Sequence, residues 1–278
     1  EYSVADIVWT LDASAQYDFW ATDDVATYSA YEIKQAAEAI SAYGATADVP
    51  AFRQYDRYLK QQSPDADPVF SIKVYDQPDG TASTHKVDVL GIAQDTKASG
   101  GKAGLTFGFK DAYLQGTNDC RMRSTATNSG GWNSSDLKKY LNGTFVSYLG
   151  ASVSEGIVVA AKRQQQYGSS SLQATNDAKL FVPSYFEVYG ISYAYWNGNE
   201  TASNSFQYAN FAKGGQSTEN TNALKSYGSA YIYWWLRSAS KTKSTDFARV
   251  SNSGICNDGS VANLAANSQN GIVPCFCF

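Results

Sequence analysis

The run Tyr231-Ile-Tyr-Trp-Trp-Leu-Arg-Ser238 sets paired tryptophans beside an arginine. Large aromatic rings give contact area at low entropy cost, and arginine adds a rigid fork of donors, so the run has the chemistry of a recognition anchor. The tail beyond Arg249 carries one charge, Asp258, among Ser, Asn, Gly and Ala, and its hydroxyls and amides supply adaptable hydrogen bonds. The same residues also suit an interior: Trp234 and Trp235 read equally as core residues, and the tail as two polar-faced strands.

Catalytic patterns are sparse. His85 is the single histidine, which removes HExxH zinc sites and leaves one candidate for a histidine-based triad. It begins an alternating strand, where an exposed structural residue is expected in preference to a catalytic base. Gly100-Gly-Lys-Ala103 departs from a phosphate loop, with Ala103 after the lysine and Thr96 where the first glycine belongs. Carboxylates are scattered, and no pair is placed by spacing for glycoside hydrolysis. Asp246, Asn257 and Asp258 lack the EF-hand pattern and read as turn-forming residues, so no metal and no cofactor is expected. Asn133, Asn142 and Asn199 open formal glycosylation sequons, as chance allows in a chain so rich in Asn, Ser and Thr. Cys275 and Cys277 alternate around Phe276, share one face of a strand and cannot readily bridge each other. Buried thiols, or one of them paired with Cys256, remain the alternatives; Cys120 stands apart.

The elements that must position these residues belong to a chain of 278 residues, long enough for a substantial core. Only 17% of residues are charged and the net charge is -4, with no basic stripe, which argues against nucleic acid as a partner. No apolar run is long enough to span a bilayer, and Glu1 in place of a leader is what a mature or trimmed chain would show. Residues 30–43 carry helical periodicity, with capping-box spacing at Ser29 and Glu32 and Gly44 as a stop. A second helix is expected over 51–61 behind Pro50, and Pro64 with Pro68 then breaks the chain. Residues 69–75 and 85–90 alternate as strands around Pro78-Asp79-Gly80 and predict a hairpin. A short helix is expected over 136–141, capped by Ser134 or Ser135 and ended by Asn142-Gly143. Residues 180–183 read as a buried strand and 184–189 as a turn of helix. Beyond Tyr231 strands alternate with turns at Ser253-Gly254 and Asp258-Gly259. The expectation is an α+β fold with irregular antiparallel strands: a helical N-terminal extension over 1–66 and a single domain over 67–278.

Six landmarks occur in order: Val87-Asp-Val-Leu-Gly-Ile-Ala-Gln-Asp95, Gly101-Lys-Ala-Gly-Leu-Thr-Phe-Gly108, Gly130-Gly-Trp-Asn-Ser-Ser-Asp-Leu-Lys-Lys-Tyr-Leu-Asn142, Lys179-Leu-Phe-Val-Pro-Ser184, Trp234-Trp-Leu-Arg-Ser238 and Gly271-Ile-Val-Pro274. Together they resemble an uncharacterised bacterial and phage family of domains of unknown function over about residues 69–278. The ending also resembles the C-type-lectin-like fold shared by formylglycine-generating enzymes and the variable proteins of diversity-generating retroelements. That likeness implies a fixed scaffold under a C-terminal segment whose exposed positions are diversified. Ala239 stands where that group usually has proline, and Cys275 and Cys277 do not reproduce the enzymes' copper-binding arrangement.

The resemblance implies a non-enzymatic ligand-binding protein, receptor or adhesin in type, on a cell or virion surface, meeting a protein or glycan of a host or neighbouring cell. Trp234, Trp235 and Arg237 would support the site. Lys241, Lys243, Asp246, Arg249, Ser251, Ser253, Asn257, Asp258 and Ser260 would form its variable face, and a glycan would stack on exposed Tyr195 and Trp196. An oxidoreductase or hydrolase on the same scaffold, or a structural surface protein, are the competing readings.

Overall fold

A computed structural model describes residues 30–43, 62–64, 70–114, 120–196, 199–212, 219–255, 266 and 269–278. Helix α1 (Ala30–Tyr43) occupies the stretch marked by the periodicity and buries Ala36, Ala37 and Ile40. Its glycine partner is Gly104, where a Cβ would overlap the Ala37 carbonyl; only a bare backbone lets the helix this close. Ser41 fastens the same contact by donating to the Lys102 carbonyl (2.6 Å) and accepting from Lys97 Nζ (2.8 Å). The described helix of the N-terminal extension therefore shares the core of the residues that follow. The expected helix at 51–61 and the cap and stop residues Ser29 and Gly44 lie outside the described residues.

Strands follow in the order β1 (Phe70–Val74), β2 (Ser83–Ile92), β3 (Leu105–Phe109), β4 (Lys162–Gln164), β5 (Gln173–Thr175), β6 (Leu180–Phe181), β7 (Ser226–Tyr227), β8 (Ala230–Tyr231), β9 (Trp234–Ala239), β10 (Phe247–Val250) and β11 (Cys275–Cys277). The largest sheet is antiparallel in the order β1-β2-β3-β11-β6, beside the pairs β4-β5, β7-β8 and β9-β10. The hairpin expected at 69–90 is β1 with β2, in the register Phe70 to Val87 and Val74 to Ser83. The C-terminal strand is not an edge: β11 lies between β3 and β6. Phe276 stacks on Phe107 at 5.6 Å, while Cys275 and Cys277 point to the opposite face as buried free thiols. Burial raises both thiols well above their ordinary range, with Lys162 opposing this at Cys275 and Asp95 reinforcing it at Cys277. Cys256 lies outside the described residues.

Helix α2 (Asp136–Tyr140) starts on Ser135, whose hydroxyl accepts from Lys138 N at 3.0 Å. Asn142-Gly143 does not end it. The chain runs on through a π turn over Leu141–Phe145 and a further helical turn over Val146–Tyr148. The Asn142 amide is instead a tie to β6: it donates to Leu180 O (2.9 Å) and accepts from Leu180 N (3.0 Å). The Gly-Gly-Trp motif has a backbone cause. Gly130 and Gly131 both adopt positive φ, and a Cβ at Gly131 would lie 2.6 Å from Gln164 Oε1. They launch a short 3-10 turn over Gly131–Ser134 that buries Trp132 beside β9.

Candidate functional site

Two sequence motifs interlock at the centre of the molecule. Ser184 caps helix α3 (Tyr185–Tyr189) in a reciprocal box: Glu187 N donates to Ser184 Oγ (3.2 Å) and Ser184 N to Glu187 Oε2 (2.9 Å). The box fixes the Glu187 carboxylate beneath β9, where Arg237 grips it with two bonds, Nη1 to Oε2 at 2.5 Å and Nη2 to Oε1 at 2.6 Å. Arg237 also donates to the carbonyls of Arg163 (2.8 Å) and Val182 (2.9 Å), which closes its donor fork. In return Tyr185 N donates to Ser238 Oγ (2.9 Å) and Arg237 N to Pro183 O (2.9 Å).

Lys162 on β4 extends the network. Its ammonium pairs with Asp95, donates to Glu187 Oε1 (2.9 Å) and Tyr208 Oη (2.7 Å), and sits 4.1 Å above the Phe181 ring. Asp95 in turn accepts from Thr106 (2.6 Å) and Tyr208 (2.9 Å). Every member is buried, so charge here survives only because each ion is paired and hydrogen-bonded. Burial pushes the Glu187 carboxyl up, but Arg237 and Lys162 outweigh it and hold it at about 2. For Lys162 burial acts downward and is overcome by Asp95 and Glu187, so the ammonium stays protonated. Burial, Asp95 and Glu187 keep the Tyr208 phenol protonated. Glu187 and Lys162 therefore keep their charges, and Tyr208 its proton, near neutral pH.

Above this floor opens a cleft of about 410 Å³, walled by Gln94, Thr96, Lys102, Arg163, Glu200 and the segment Ser203–Phe206. The wall segment is shaped by its own turn bonds, Thr201 N to Asn204 Oδ1 and Asn204 Nδ2 to Asn199 O, both 2.9 Å. Among the described residues, the Gln94 Oε1 acceptor in the wall is buried without a hydrogen bond, and the exposed Arg163 guanidinium makes no ion pair or hydrogen bond. The cleft thus combines an unpaired cation, an unpaired acceptor, several hydroxyls and the Glu200 carboxylate over a buried ionic base.

The anticipated site residues fall into different environments. Trp234 and Trp235 are wholly buried, their indole N–H groups donating to Ala223 O (2.9 Å) and Cys120 O (2.8 Å). Arg237 is in the cleft floor. Lys241 is half-buried, and Lys243 and Ser253 are exposed. Asp246, Arg249 and Ser251 do not lie on an open face but are buried. The Asn128 amide explains the first: it donates to the carbonyls of Ser240, Lys243 and Asp246 at 2.8–3.0 Å and draws the β9–β10 loop inward. Arg249 lies on the Tyr233 ring at 4.1 Å and donates to Asn270 Oδ1 (3.1 Å). Ser251 Oγ accepts from the backbone N–H groups of Ser253 and Ile255. Asn257, Asp258 and Ser260 lie outside the described residues. Trp196 is not an exposed stacking surface; it is buried edge-on against half-buried Tyr195 at 4.5 Å. His85 is half-buried in β2, stacked on Phe109 (5.2 Å) with Nε2 2.9 Å from Ser83 Oγ. Burial lowers its pKa, opposed by Asp76 and Asp111.

Sequence reading missed Asp95, Lys162, Arg163, Glu187 and Tyr208. One local signal existed, the Ser-x-x-Glu spacing of Ser184 and Glu187; nothing local marks the others.

These features define an α+β domain with a buried arginine-centred ion network under a polar cleft. The chain belongs to the family described as Domain of unknown function (DUF6273), whose model matches residues 109–278, from the last residue of β3 to the C-terminus. No curated protein and no solved structure matches it. Among the described residues no helix is long and apolar enough to cross a membrane, and no group of three or more His, Cys, Asp or Glu is placed to hold a metal ion.

Proposed function

We propose that this protein is a ligand-binding module, receptor or adhesin in type, displayed on a cell or virion surface on a C-type-lectin-like scaffold. Its ligand is a glycan bearing a carboxylate, taken in the cleft above Arg237. The uncommitted Arg163 guanidinium at that cleft carries the reading: it supplies a forked donor for a carboxylate, while Gln94, Ser203 and Ser205 line the same space for sugar hydroxyls. The exposed positions near Lys241, Lys243 and Ser253 form a second, exchangeable rim in this proposal, the part that a diversity-generating retroelement would rewrite.

Titration calorimetry with tri-galacturonic acid and with neutral galactotriose tests the cleft. The acidic sugar should bind at least about tenfold tighter, and Arg163→Ala should erase the difference without changing melting, since the side chain is exposed. Equal affinities, or a preference that survives Arg163→Ala, would remove the cleft from the argument. For the rim, a near-repeat of the gene's 3′ end differing mainly at adenines beside a reverse transcriptase would support diversification, and its absence would end that part of the proposal.

A further inference from the structure

A second cleft, of about 380 Å³, opens beside the C-terminal strands and shares no lining residue with the first. Its chemistry is different. Tyr231, on β8, is 56% exposed, among the most exposed large hydrophobic side chains described. Tyr233 lines the same space, with the Arg249 guanidinium held against its ring at 4.1 Å. Leu114 and Ile232 give apolar wall, and Gln269 stands at the exposed side.

The polar group in this wall is Asn270. The residue is only 6% exposed, and its Oδ1 is occupied by Arg249 Nη1 at 3.1 Å. That bond fixes which end of the amide carries the N–H groups. Nδ2 is buried and has no hydrogen-bond partner among the described residues. A buried donor without an acceptor is unfavourable, so a molecule entering here is rewarded for supplying an oxygen. The backbone around it has little freedom to supply one: Gly271 N is committed to Tyr233 O (2.7 Å), and a Cβ at Gly271 would lie 2.7 Å from Ile232 Cδ1.

We propose that this cleft is a subsite for an N-acetylated amino sugar. The acetamido carbonyl accepts from Asn270 Nδ2, the acetyl methyl packs against Leu114 and Ile232, and the pyranose ring lies on Tyr231. An acetamido oxygen is favoured over a hydroxyl because it is a pure acceptor, matching a site whose free group is a pure donor, and because its methyl suits the apolar wall. The inference is independent of the carboxylate cleft and stands or falls on its own residues.

The test is calorimetry with tri-N-acetylchitotriose, with cellotriose as the control that lacks only the acetamido groups. The acetylated sugar should bind and cellotriose should be at least about tenfold weaker, equivalent to about 1.4 kcal/mol. Asn270→Asp keeps an acceptor for Arg249 but removes the Nδ2 donor, so it should lose about tenfold or more for the acetylated sugar while melting is retained. Tyr231→Ala should weaken binding with the fold unchanged, and Tyr227→Ala, an equally exposed tyrosine of the same hairpin outside the cleft, should not. No binding by the acetylated sugar, equal binding by cellotriose, or an unaffected Asn270→Asp variant would overturn the proposal. So would N-acetylglycinamide binding as tightly as the sugar with the same loss in Asn270→Asp, which would assign the cleft to a peptide carbonyl.

Discussion

Replacing Arg237 by lysine keeps the charge and tests whether the fork matters. Arg237 makes four bonds from a planar group: to Arg163 O, to Val182 O and to both oxygens of Glu187. An ammonium is a point with three donors and cannot reach acceptors spread around a guanidinium. If the substituted ammonium keeps Glu187, the buried Val182 carbonyl loses its partner at about 1–3 kcal/mol and the part-buried Arg163 carbonyl at less, so the expected loss is about 1–5 kcal/mol. Glu187→Gln should cost about 3–5 kcal/mol, because buried Arg237 would lose the carboxylate it grips and buried Lys162 one of its two ion-pair partners. Since both changes damage one network, the double variant should lose at least about 1 kcal/mol less than the sum. Urea unfolding followed by tryptophan fluorescence reads all three, with an unchanged slope showing that the unfolded states are comparable. An Arg237→Lys variant within about 1 kcal/mol of the parent, or strict additivity in the cycle, would refute the view that the fork holds the cleft floor.

The pH dependence has a definite sign. Glu187 is held at about 2 in the fold, against about 4.3 when unfolded, so its contribution of about 3 kcal/mol is complete above that unfolded value and is lost as pH falls toward 2. Melting temperature should drop across that window, less steeply in Glu187→Gln. Gly131→Ala should cost about 1–3 kcal/mol in chemical unfolding, given its positive φ and the Gln164 contact, whereas Gly143→Ala, with open space at its Cβ, should be neutral or slightly stabilising. In a scan around β10, Lys243→Ala and Ser253→Ala should stay within about 0.5 kcal/mol, while Phe247→Ala and Val250→Ala lose about 2–5 kcal/mol. Asp246→Ala should behave like the second group, because it is buried and bonded to Thr245 and Tyr195; equal melting across the scan would refute this division.

What sequence made legible was local. Helical spacing marked α1, alternation marked the β1–β2 hairpin, and the pair Ser134-Ser135 marked the start of α2, because each signal lies within a few residues of the structure it specifies. The site was legible only in part. Arg237 stood out by its neighbours, but its partner lies fifty positions away, and Asp95 meets Lys162 across sixty-seven. No spacing rule joins such pairs. The same limit explains the errors. Asn142-Gly143 has the composition of a helix end, yet its amide is spent on Leu180 thirty-eight positions on. Asp246 and Arg249 look like surface residues until Asn128, Tyr233 and Asn270 are brought beside them by the fold.

The low charge of this sequence takes on a physical meaning once the interior is seen. Asp88, Asp95, Lys162, Glu187, Lys225 and Arg237 are all buried, and Lys225 repeats the theme by pairing with Asp88 (3.3 Å) and donating to Phe109 O (3.1 Å). Part of the charge of a sparsely charged chain is thus placed inside. A buried ion is tolerated only with its whole partner set in place, so none of these positions can vary alone. Exposed neutral groups such as Ser203 and Ser253 carry no such obligation, and exchanging them leaves no ion stranded. A fixed ionic floor beside exchangeable exposed positions is the arrangement the proposed binding module would need if its specificity changed while its fold did not. The Arg237 cycle and the β10 scan measure its two halves separately.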